Sequence, residues 1–164
     1  MTAEPINVLF LCTGNSARSI LSEVVLNSRG AGRFRGWSAG STPKDAVNPW
    51  SVRVLQAHGY PVDGLRSKSW DEFAADGAPR MDVVVTVCDS AAGEVCPVWP
   101  GHPFRVHWGQ PDPAAATGSD DLVRAAFEDA LARVERRIDA LLALPFGGAD
   151  REDLRRRLAA LAEL

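Results

Sequence analysis

Two short apolar runs, Ile6 to Leu11 and Met81 to Val87, restrict the folds open to this chain more than any other feature. Neither alternates polar with apolar residues. Continuous runs of this kind suit strands covered on both faces, as in a parallel sheet. Phe34 to Ser38 and Phe104 to Trp108 are weaker strand candidates, and helical patterns lie between the four. The alternation predicts an α/β fold: an open, mainly parallel four-stranded sheet flanked by helices on both faces. Ligands of such sheets gather at the carboxyl ends of the strands.

The helical patterns are explicit. Ile20, Leu21, Val24 and Val25 share one face of a helix opened by Ser19, and Asn48-Pro49 reads as N-cap and first position of a second helix through Val52 and Leu55. Ser69-x-x-Glu72 is a capping box for a third. The longest helix is predicted from Ser119 to about Leu144, with Leu122, Phe127, Leu131, Val134, Ile138 and Leu141 at helical spacing. Asp120 and Asp121 stand in its first turn, where the helix dipole favours acids. PFGGAD, residues 145 to 150, breaks the pattern, and Leu154, Leu158 and Leu161 then form a thin stripe on an Arg-rich helix. The expected division is a catalytic domain over 1–144 with a helical tail, 145–164, packed on it. A chain of 164 residues buries a core without disulfide staples.

The net charge of -3 gives no general attraction to nucleic acid or to an anionic membrane. No apolar run approaches the roughly 20 residues that cross a bilayer, and MTAEPIN lacks the features of a signal peptide. A cytoplasmic location and a monomer are expected. Thiols there are kept reduced, so three cysteines imply packing, metal binding or redox chemistry rather than a structural disulfide.

Cys12-Thr13-Gly14-Asn15-Ser16-Ala17-Arg18-Ser19 follows the first strand directly. A strand, a turn of small residues and a helix N-terminus make an anion cradle, because backbone N–H groups converge there and the dipole adds positive charge. The loop, Thr13, Gly14, Asn15, Ser16, Ala17 and Arg18, is expected to hold a tetrahedral oxyanion; Gly14 alone makes no nucleotide-binding fingerprint. The same field is expected to lower the pKa of Cys12 and make it a nucleophile. Arg18 grips two equatorial oxygens with its planar fork, Ser19 hydrogen-bonds the thiolate, and Asn15 tolerates a left-handed turn.

C-x5-R-S after VLFL, with Asp112-Pro113 towards the other end, resembles the low-molecular-weight tyrosine phosphatases. VTVCDSAAGEVCPVWPG (85 to 101) followed by HWGQPDP (107 to 113) resembles the arsenate reductases of that fold more closely. The resemblance implies arsenate reduction, with Asp112 as general acid, no cofactor, and phosphate and sulfate as competing anions. Dephosphorylation of an ester by Cys12, Arg18 and Asp112 is the alternative, and it leaves Cys88 and Cys96 without a task. By the same resemblance, Cys88 forms a disulfide with Cys12 after arsenite leaves, Cys96 attacks Cys88, and thioredoxin reduces the Cys88–Cys96 bond. Seven residues separate Cys88 from Cys96, one more than in the best-known thioredoxin-linked members, which keeps glutaredoxin with glutathione as a second donor. A disulfide needs Cα atoms about 4.4–6.8 Å apart, so the segment from about 89 to 101, with Ser90, Ala91, Ala92 and Gly93, must bend or move.

Some members of the family bind potassium beside the loop, and Asn15, Glu23 and Ser38 match part of such a site. Ser67-Lys68-Ser69 stands where an acidic ligand is expected, and a lysine ammonium there would take the cation's place. A zinc site from Cys88, Cys96, His102 and His107 fits poorly, since two to four residues usually separate paired cysteines. No metal is therefore assigned. His107 is expected to pack at a strand end and His58 to be solvated after a helix.

Overall fold

The computed structural model describes residues 4–88, 99, 102–148 and 150–164. Strands β1 (Ile6–Leu11), β2 (Phe34–Ala39), β3 (Val83–Thr86) and β4 (Phe104–His107) form one sheet in the order β2-β1-β3-β4. Every pairing is parallel. The central strand β1 is covered on both sides, as its apolar run requires: Val8 and Phe10 enter one core, Leu9 and Leu11 the other, and all four are fully buried.

The larger core lies under helices α1 (Arg18–Arg29), α2 (Pro49–Ala57), α3 (Asp120–Leu142) and α4 (Arg151–Ala160). The smaller core is closed by Trp99 and by Trp70 and Phe73 of a single 3-10 turn, Trp70–Phe73. The open α/β sheet with helical segments against both faces is thus the predicted class. Among the described residues, no helix is long and apolar enough to cross a membrane.

Several boundaries differ from expectation for local reasons. The helix predicted at Ser69 is only that one turn: Ser69 accepts from the N–H of Asp71, while Glu72 turns away to pair with Arg66 at 2.6 Å, so the reciprocal capping bond is not made. Asn48 caps as expected, accepting from Trp50 N–H, and Ser119, read as the start of the long helix, is instead its cap, accepting from Leu122 N–H. Leu122 is 60% exposed rather than in the core, and Val123 beside it is the residue of that turn that packs against the core. His58 ends α2 and pairs with Glu128 at 2.6 Å. His107 is exposed, with Thr86 Oγ1 2.7 Å from its Nδ1, instead of packed; Trp108 beside it takes the buried position.

The tail is tied to the chain segment after β4. Leu154 and Leu158 join the larger core, and Trp108 Nε1 donates to the carbonyl of Leu158 at 2.8 Å. Arg137 of α3, 3% exposed, donates to the carbonyls of Trp108, Gly109 and Ala162 at 2.9, 3.0 and 2.8 Å. One guanidinium therefore joins the long helix, the tail and the start of the loop that carries Asp112.

Candidate active site

Cys12 is the first residue past β1, and the loop after it is shaped by where its carbonyls go. Those of Thr13 and Gly14 accept from the N–H groups of Thr42 and Lys44, each at 3.0 Å. The carbonyl of Asn15 accepts from Ser67 Oγ at 2.6 Å, and that of Ser16 from Asn48 N–H and Ser51 Oγ at 3.0 and 2.9 Å. These bonds tie the loop's carbonyls to neighbouring segments, while the Gly14 N–H is turned to the Cys12 sulfur, the arrangement an anion cradle needs. Asn15 adopts the expected left-handed conformation, φ 46°. Its side chain holds that shape by accepting from Lys68 N–H at 2.9 Å and donating to Ser19 Oγ at 2.8 Å. Ser19, fully buried, thus braces the loop through Asn15.

Gly40 has a role that the sequence reading missed. A Cβ there would collide with the carbonyl oxygen of Thr13 and lie 2.7 Å from that of Cys12, so the end of β2 approaches the loop as only glycine permits.

Arg18 opens α1 and points into a cavity of about 510 Å³ lined also by Cys12, Thr13, Lys44 and Asp112. Its Nη1 donates to the carbonyl of Gln110 at 3.1 Å, and its Nη2 lies 3.7 Å from Asp112 Oδ2. Its Nε is out of solvent with no protein partner among the described residues, which suits the second prong of a bidentate grip. Asp112 also accepts from Ala114 N–H at 3.0 Å, fixing the turn Pro113–Ala115 behind it.

Cys88 leaves the end of β3, next to β1, and is 2% exposed. It hydrogen-bonds Cys12, and its Sγ is 3.7 Å from Thr13 Oγ1. The two free thiols are thus side by side at the carboxyl ends of adjacent strands. This proximity reverses the expected titration of Cys12: its hydrogen bond with Cys88 and then burial push its pKa up, against the downward pull of Arg18 and the Gly14 N–H. A proton shared by two buried sulfurs is held by both. Cys96 and the segment 89–98 lie outside the described residues.

Residues 7–157 match the family of low molecular weight phosphotyrosine protein phosphatases. The chain belongs to this family. Its relatives include the arsenate reductase of Halalkalibacterium halodurans, 36% identical over 131 residues, or 80% of this chain and 91% of that one. The arsenate reductase of Bacillus subtilis is 35% identical over 121 residues, 74% and 84% of the two chains. Among solved structures, the arsenate reductase from Archaeoglobus fulgidus superposes with a TM-score of 0.65 at 27% identity, covering 84% of this chain and 99% of its own. An arsenate reductase in the phosphate binding state gives 0.67 at 26%, covering 84% and 97%.

The potassium position of the phosphatase family does not fit a cation here. Lys68, 8% exposed, places Nζ 3.1 Å from the carbonyl of Arg66, 3.4 Å from Ser38 Oγ and 3.6 Å from Glu23 Oε1. The ammonium stands among the oxygens that would hold the ion. Burial pushes the Glu23 carboxyl above its ordinary range, against the pull of Lys68, and pushes the Lys68 ammonium below its own.

Proposed function

We propose that the protein is an arsenate reductase that uses Cys12 as nucleophile and passes the resulting oxidation to Cys88. The observation that carries this reading is the second thiol: Cys88 is buried in hydrogen-bond contact with Cys12. Ester hydrolysis has no use for it, whereas a reduction that ends in a disulfide requires it. The relatives named as arsenate reductases support the same conclusion.

Arsenate enters the loop, with its oxygens on the backbone N–H groups and the Arg18 fork. The bound arsenate dianion takes the Cys12 proton, the thiolate so formed attacks arsenic, an S–As bond forms as one As–O bond breaks, and that oxygen leaves as water with a further proton from Asp112. The Cys88 thiolate then attacks the sulfur of Cys12. The S–As electron pair stays on arsenic, which departs as arsenite, and a Cys12–Cys88 disulfide remains. Two electrons have moved from two sulfurs to one arsenic. Cys96 next attacks Cys88, freeing Cys12, and thioredoxin reduces the Cys88–Cys96 bond. Glutaredoxin with glutathione is the other donor of the right chemistry. The protein would work as a cytoplasmic monomer, where its thiols stay reduced, with phosphate and sulfate competing for the same loop.

Phosphotyrosine hydrolysis is the rival activity within the family. None of the described residues lining the cavity is aromatic, which leaves a phenyl ring without a stacking partner and suits a small inorganic anion. The test is arsenate-dependent NADPH consumption with thioredoxin and its reductase, beside glutathione with glutaredoxin. Sustained turnover with one system, and a mapped disulfide among the three cysteines after arsenate exposure, is expected. Oxidised protein with no bridge at any of the three positions would overturn the reading.

A further inference from the structure

Among the described residues the cavity is lined by two cations, Arg18 and Lys44, and of these Arg18 alone faces a carboxylate. Arg18 faces Asp112 and the carbonyl of Gln110, so part of its charge is already answered before an anion arrives. Lys44 lines the same cavity and makes no ion pair with a carboxylate among the described residues, including its neighbour Asp45.

Lys44 is also held in place. Its N–H donates to the carbonyl of Gly14 at 3.0 Å, and two residues earlier Thr42 does the same to Thr13. The strap 42–44 is thereby stitched to the loop itself. The lysine stem lies across Gly14: a Cβ built there would meet Cγ, Cε and Cδ of Lys44 at 3.3, 3.2 and 3.5 Å. The backbone is tied to the cradle and the stem of this exposed lysine passes beside Gly14, so its ammonium end starts at the mouth of the loop.

We propose that Lys44 is a binding residue for the oxyanion, reaching it from the strap that lies against Gly14. A tetrahedral dianion carries more charge than Arg18, half-answered by Asp112, neutralises. Lys44 supplies the remaining positive charge as a mobile point charge, while Arg18 supplies the directional fork. It would also narrow the mouth, favouring a free inorganic oxyanion over one esterified to a bulky group. The inference rests on this loop receiving an oxyanion, and it holds whichever reaction follows.

The test is binding of inorganic phosphate at constant ionic strength, read as protection of Cys12 from alkylation, in the parent protein and in Lys44→Met and Lys44→Arg. For one charge at the rim, Lys44→Met is expected to weaken phosphate about three- to tenfold, and Lys44→Arg to restore most of it. Less than a threefold loss in Lys44→Met overturns the proposal. Equal loss in both variants also overturns it, because the effect would then belong to the packing of the strap on Gly14 and not to charge. Arsenate turnover is not needed, so a failure here and a failure of the reductase reading are separate results.

Discussion

Nζ of Lys68 stands 3.6 Å from Oε1 of Glu23, with both side chains almost out of solvent. Removing one member of such a pair strands the other. Lys68→Met is expected to destabilise the fold by about 3 kcal/mol, a fall of roughly 6–12 °C in Tm. The pH dependence has a definite sign. A carboxyl whose folded pKa is raised binds protons more readily folded than unfolded, so stability falls as pH rises from its ordinary 4.5 to the folded value. Losing the ammonium extends that window upward, so the penalty is larger at neutral pH than in acid. The double variant with Glu23→Gln should recover part of the loss. Thermal melts across pH check this, and a penalty independent of pH would contradict it.

Cys88→Ser separates the two roles of the second thiol. The hydrogen bond that the Cys12 thiol makes to Cys88 is the largest influence holding its pKa up. Its removal shifts the alkylation profile of Cys12 towards lower pH and raises the rate at neutral pH. Arsenate turnover is abolished in the same variant, while hydrolysis of a small phosphoester is retained. A more reactive Cys12 together with a dead reductase is a combination that general loss of structure does not produce.

Asp112→Asn acts in opposite directions on binding and catalysis. The carboxylate faces the guanidinium that grips the anion, 3.7 Å from Nη2. Neutralising it frees Arg18, and phosphate is expected to bind about two- to fivefold tighter, a small change because the carboxyl is 41% exposed. The proton donor for the leaving oxygen is lost at the same time, and kcat should fall about 10²- to 10⁴-fold. Phosphate titration and steady-state kinetics on one preparation measure both.

What can be read from the sequence here is what is local. Cys12, Arg18 and the residues between them lie within one strand exit and one helix start, so their spacing implies their geometry, including the left-handed turn at Asn15. Lys68 is legible as an oddity, a cation where an acid is expected, and the fold shows what it replaces. Gly40 and the Arg137 clamp are illegible because they act on distant backbone carbonyls, which any residue possesses. The direction of the Cys12 pKa fails for a related reason. The loop alone predicts a lowered value, whereas the decisive neighbour is Cys88, brought in by the adjacent strand. Ser69 and Glu72 show the converse: a correct local signal is overridden when Arg66 captures the glutamate.

Gly40→Ala tests whether the loop's shape is imposed from outside. The added methyl would meet the carbonyls of Thr13 and Cys12, which are backbone and cannot swing aside. Gly40 is itself fixed, with its N–H on the carbonyl of Lys68 and its own carbonyl accepting from Trp70 N–H at 2.9 and 3.0 Å. The strain must therefore pass into the loop. Destabilisation of about 1–3 kcal/mol is expected, together with loss of phosphate protection of Cys12 well beyond what the stability change alone produces. Gly32→Ala is the control: that glycine is strained by its φ of 88° but has open space around it, far from the loop in sequence. It should lower stability without weakening phosphate. Equal phosphate binding in the two variants would mean that Gly40 supports the sheet edge and not the cradle.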